Sequence, residues 1–137
     1  MCTFERRAYF TDDRTVDVIR AELLRTASAY DVEVIAYCFM PDHLHVVIEG
    51  MTENADLLKF TAMFRQRSGH RYRQLHNGYL WQEGYVDRSL RKDEATLDVV
   101  TYIVANPLRA GLCRDVREYP FVGSSRYSLE EMIDSLA

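Results

Sequence analysis

His43 and His45 stand one residue apart in the β-rich run Ala36-Tyr37-Cys38-Phe39-Met40-Pro41-Asp42-His43-Leu44-His45-Val46-Val47-Ile48. On a strand, side chains two apart leave the same face, so both imidazoles project from one surface while Leu44, Val46 and Ile48 turn to the other. Two neutral imidazoles so placed can share a cation, and the Pro41-Asp42 turn sets them near the strand's start, where a ligand can approach. The same spacing also suits a solvated or hydrogen-bonded sheet surface, and two ligands do not complete a site.

A second pair lies at helical spacing. At 100° per residue, Tyr102 and Asn106 fall about 40° apart, on the flank of an apolar stripe centred on Val100 and Ile103. Tyrosine is a weak nucleophile at its ordinary pKa of about 10, so it needs an electrophile sharpened by a cation, which a metal on His43 and His45 would give a phosphodiester. Asn106 can add a third ligand through its amide oxygen. Each residue also has a plainer role: Tyr102 as one of nine tyrosines at an interface, Asn106 as a helix cap before Pro107.

Charge adds a third signal. The net charge of -4 argues against a protein that coats nucleic acid indiscriminately. Yet Lys59, Arg65, Arg67, Arg71 and Arg73 fall between Leu57 and His76 without one acid among them, while acids gather in the first helix and in the tail, at Glu118, Glu130, Glu131 and Asp134. A local basic face on an acidic domain is the footprint of phosphate contact over a limited stretch.

These residues need a scaffold. At 137 residues, 47% hydrophobic and 28% charged, the chain has the size and composition of one ordinary soluble domain, 1–137, with enough chain to bury a core. The sequence shows neither a membrane-length apolar run nor a signal-peptide pattern, so a cytoplasmic protein is expected. Cys2, Cys38 and Cys113 are odd in number and far apart, which fits free thiols, with Cys38 as a small buried hydrophobe.

Thr11-Asp12-Asp13 offers caps for a helix carrying Val16, Ile19, Leu23, Leu24, Ala27 and Tyr30 at helical spacing. Val32 to Phe39 and His43 to Glu49 then read as a hairpin. A long basic helix follows from about Ala55 to Leu75, with Gly69 as a point where it can kink or split. Tyr79 to Leu90, with Trp81, Tyr85 and Val86, reads as a further strand. A last helix starts near Asp93, buries Leu97, Val99, Val100, Ile103 and Val104, and is ended by Pro107 shortly after Asn106.

Taken in order, Tyr37-Cys38-Phe39-Met40-Pro41-Asp42-His43-Leu44-His45, then Trp81-Gln82, then Tyr102-Ile103-Val104-Ala105-Asn106-Pro107-Leu108-Arg109-Ala110-Gly111-Leu112, resemble the single-tyrosine HUH transposases of the insertion-sequence type. The REP-associated branch is the nearer likeness, and it spans about Ala8 to Tyr127. The resemblance implies an α+β, ferredoxin-like antiparallel four-stranded sheet of order 4-1-3-2. Two main helices, a catalytic helix and a C-terminal helical tail accompany it. It also implies that His43 and His45 bind Mg²⁺ or Mn²⁺, that Asn106 is the third ligand, and that Tyr102 attacks single-stranded DNA, leaving a 5′-phosphotyrosine and a free 3′-OH.

Arg88 and Arg91 would join the basic helix in holding the DNA backbone, and the likeness to the REP-associated branch implies hairpin-forming single-stranded DNA as the partner. The resemblance leaves open an active site built in one chain or across a homodimer. Two departures stand out. The first strand is cut short, so that Cys2 to Arg7 must serve as the strand or the start is internal to a longer gene product, and Asp42 replaces the more usual Asn. Three rivals remain: an RRM-type nucleic-acid module, a metal-dependent phosphodiesterase using bound water, and a domesticated relative that binds DNA without cutting it.

Overall fold

A computed structural model describes residues 1–84 and 96–136. The expected elements begin with α1 (Asp13–Ala29), whose cap is Asp12, its carboxylate accepting from the Thr15 amide at 3.0 Å. The hairpin follows as β1 (Val32–Met40) and β2 (His43–Gly50), antiparallel from Val32 opposite Gly50 to Met40 opposite His43. Pro41 and Asp42 make the turn between them. Next comes α2 (Leu57–Leu75), which starts two residues later than the sequence suggests because Asp56 caps it, and which runs through Gly69 as one helix.

The second half departs further from expectation. Residues 79–84 do not form a strand; Trp81 makes an isolated bridge with Thr3, and the rest of the expected strand lies outside the described residues. Pro107 does not end a helix either. α3 (Thr96–Val104) stops before Ala105, and α4 (Asn106–Arg109) begins immediately after it with Pro107 in its first turn, where the missing amide hydrogen would have had no helical partner. Leu97, expected in the core, is 39% exposed. β3 (Val122–Gly123) and α5 (Leu129–Asp134), closed at its start by a reciprocal Ser128–Glu131 capping box, complete the chain.

Among the described residues the sheet is three-stranded, in the order β2-β1-β3, and antiparallel throughout. Among the described strands β1 is central and the histidine strand lies at an edge, where the order 4-1-3-2 implies an internal one. Residues Met1 to Thr3 cover the start of that edge. Cys2 bridges His43, and the Leu44 amide and carbonyl bond to the Met1 carbonyl and N-terminal ammonium at 2.8 and 2.9 Å. The stub thus supplies two isolated bridges where full first and fourth strands were expected.

β1 is buried on both faces. Val32, Val34, Tyr37 and Phe39 enter one core with α1 and α2, while Ile35, Ala36, Cys38 and Met40 enter another with Val100, Ile103 and Val104 of α3 and Met132 of α5. Ile35 and Ala36 share a face because the pairing shifts by one residue between Val34 and Ala36, a β-bulge. The carbonyls beside the bulge are taken by Ser124 and Ser125 side chains, which extend the contact of the two-residue β3. No described helix is long and apolar enough to cross a membrane.

Candidate active site

Alternation along β2 settles which face of the sheet the histidines occupy. Leu44, Val46 and Ile48 pack with the α1–α2 core, whereas Val47 belongs to the α3 core. His43 and His45 lie on the Val47 side, opposite Met40 and Cys38 across the hairpin. Their Nε2 atoms are 2.9 Å apart. Two nitrogens bound at about 2.1 Å and at right angles to one octahedral ion would stand about 3.0 Å apart, so the spacing suits a shared cation once the proton between them is displaced.

Electrostatics favour the neutral ligand form at His45. Burial, followed by the charges of His43, the N-terminal ammonium and Arg109, pushes its imidazole down to about 4. His43 turns its Nδ1 to the Asp42 carboxylate at 2.7 Å. The second Asp42 oxygen accepts from Arg6 Nε at 3.0 Å. Burial works to raise the Asp42 carboxyl, but the hydrogen bonds from His43 and Arg6 and their charges outweigh it and hold the group below the usual range. Sequence reasoning treated Asp42 as a turn residue; the missed signal was a carboxylate directly preceding a histidine.

Tyr102 and Asn106 come from different helices yet meet through one side chain. Tyr102 is 62% exposed on α3. The Arg109 guanidinium lies 4.1 Å from its ring centre, donates to the Tyr102 carbonyl at 2.7 Å and reaches Asn106 Oδ1 at 2.5 Å. The Asn106 Nδ2 is buried without a partner, so this carboxamide has unspent polarity. Among the described residues no group of three or more His, Cys, Asp and Glu could hold a metal. Arg109, which the sequence reading quoted without assigning a role, links the two halves because its charge also acts on His45.

The basic cluster is not one face. At 100° per residue, Arg73, Lys59, Arg67 and Arg71 span an arc of about 160° on α2, and Arg65 lies about 80° beyond Arg73. Lys59 and Arg67 sit 5.9 and 5.8 Å from the Tyr30 ring centre, and Arg71 is 3.7 Å from Glu22. Arg67 and Arg71, with Arg25, His70 and Glu22, line an open groove of about 260 Å³. Arg65 holds the Gln82 and Gly84 carbonyls at 2.5 and 3.0 Å, and Arg73 covers Tyr79 at 4.7 Å. The expected backbone contacts Arg88 and Arg91 lie outside the described residues.

A family model described as "Transposase IS200 like" matches residues 1–106. The chain belongs to the IS200-like transposase family, whose members are DNA-cleaving enzymes. It is similar to a protein of Haemophilus influenzae assigned as a REP-associated tyrosine transposase, with 26% identity over 128 residues, 84% of this chain and 70% of the relative. Its fold is similar to that of a REP-associated tyrosine transposase solved bound to a REP hairpin. The TM-score is 0.72 and the identity 18%, over 87% of this chain and 69% of the other.

Proposed function

We propose that the chain cleaves and rejoins hairpin-forming single-stranded DNA by transesterification. The observation that carries this reading is the pair of imidazole Nε2 atoms 2.9 Å apart on the sheet face against which the Tyr102 helix packs. Tyr102 is the nucleophile. Its oxygen attacks the scissile phosphorus, the bond to the 3′ oxygen breaks with its electron pair leaving on that oxygen, and the phenolic proton passes through solvent to the departing oxygen. The products are a 5′-phosphotyrosine and a free 3′-OH; attack by another 3′-OH reverses the step and joins strands.

His43, His45 and Asn106 would hold a divalent cation, Mg²⁺ or Mn²⁺, which when bound supplies Lewis-acid polarisation of the phosphate. Neutral His45 has no second proton to lose, but the 2.9 Å contact to the His43 Nε2 lone pair uses a proton on its own Nε2, which must shift to Nδ1 for that atom to bind a cation. Asn106 must release Arg109 from its Oδ1 or turn its amide, and the unpartnered Nδ2 gives it reason to move. Arg109 would then set its charge beside the phosphate while its guanidinium still covers the Tyr102 ring. Lys59, Arg67 and Arg71 would take phosphates farther along the strand, with Arg65, Arg73, Arg88 and Arg91 as the remaining backbone contacts.

The test is incubation with labelled single-stranded hairpin DNA from the gene's own flanks and Mn²⁺, resolved on a denaturing gel. A covalent adduct should form with the native protein and vanish with Tyr102→Phe, whose melting temperature stays within a few degrees of the native one. Metal-dependent cleavage that survives Tyr102→Phe would instead identify a hydrolase. Binding without cleavage by the native protein would identify a domesticated relative.

A further inference from the structure

We propose that Asp42 and Arg6 form a positioning pair that fixes the His43 imidazole for metal binding. The inference rests on the metal reading of the histidine pair. An ionised carboxylate only accepts, so the 2.7 Å contact to Asp42 requires the proton of a neutral His43 to sit on Nδ1. That leaves the lone pair on Nε2, the atom 2.9 Å from its counterpart on His45.

Asp42 is itself held on all three of its oxygens. Its main-chain carbonyl accepts from the Thr3 amide at 3.0 Å, and Thr3, whose hydroxyl lies 2.7 Å from the Arg7 carbonyl and 3.0 Å from that of Asp42, is completely buried. One carboxylate oxygen faces His43, and Arg6 Nε occupies the other at 3.0 Å. Arg6 also reaches Cys2 Sγ at 3.0 Å, and Cys2 is the residue that bridges His43 across the sheet edge. The chain delivers Arg6 through two successive residues in the left-handed region, Glu5 with φ 54° and Arg6 with φ 56°. Non-glycine residues rarely adopt that conformation, so the surrounding contacts must over-determine it.

Both oxygens being in use explains why a carboxylate is needed. An asparagine could accept from His43 through its single side-chain oxygen, but its amino group would then face the Arg6 Nε–H, donor against donor. An exposed ion pair of this kind adds little to stability, so its loss should loosen the histidine more than the fold.

The experiment measures Mn²⁺ binding to the metal-free full chain by electron paramagnetic resonance. It compares the native protein with Asp42→Ala, Asp42→Asn, Arg6→Gln, the double variant Asp42→Asn/Arg6→Gln, and His45→Ala. Nitrogen-15 shifts of the histidines report the tautomer alongside. Asp42→Ala should weaken Mn²⁺ binding by about 10- to 100-fold and shift His43 away from the Nδ1–H tautomer. Asp42→Asn should also weaken binding, and the double variant should recover part of that loss, because the glutamine at position 6 can accept from the new amino group. A merely structural role gives no such recovery.

If Asp42→Ala does not fold, Arg6→Gln on its exposed side chain and the double variant decide the matter. Native affinity in all the Asp42 and Arg6 variants, with binding lost in His45→Ala, would overturn the positioning pair alone. No Mn²⁺ binding by the native protein, or undiminished binding by His45→Ala, would overturn the metal reading and this inference with it.

Discussion

His45 makes acid sensitivity a residue-scale property. Its folded imidazole titrates near 4 against an ordinary value of 6.5, with burial the largest cause. Between those values the unfolded chain binds more protons than the folded one, so this contribution weakens stability as the pH falls from about 6.5 toward about 4, then levels off. The urea midpoint of the metal-free protein should decline over that window, and His45→Gln should flatten the decline; an unchanged slope would place the sensitivity elsewhere. The pairing of His43 with His45 was legible from the two-residue strand period. Arg109 was legible as well but carried no assigned role: seven residues after Tyr102 and three after Asn106, it falls within about 60° of both on a helical wheel.

At the scale of elements, strong local signals were read correctly and weak ones were not. The cap at Asp12 and the alternation through β2 are written in neighbouring residues. β3 has only two residues and exists because β1 offers it an edge at Tyr37 and Cys38, so no local pattern announces it. Pro107 misled for a physical reason: the ring that cannot continue one helix suits the first turn of the next. Gly123 is required on β3, since an added Cβ would collide with the Tyr37 phenol across the pair. Gly123→Ala should therefore lower stability by about 1–3 kcal/mol in urea unfolding. A native midpoint would show that Tyr37 can swing aside at no cost.

For the whole molecule, charge is divided between layers. The histidines face the α3 layer, whereas Lys59, Arg67 and Arg71 belong to α2 on the opposite side of the sheet, so DNA that touches both must pass around an edge. Neutralising each of these three cations should lower the slope of log affinity against log salt by about 0.7 for single-stranded DNA. Native slopes in all three variants would assign them to solvent. The two cores that β1 separates also divide the molecule by how firmly each part is held. In hydrogen exchange, β1 amides, walled in on both faces, should open only with the whole fold, while α3 and α5 have one smaller core to leave and can detach as a unit. The tyrosine thus rides on the part of the protein that can open without unfolding the sheet that carries the histidines.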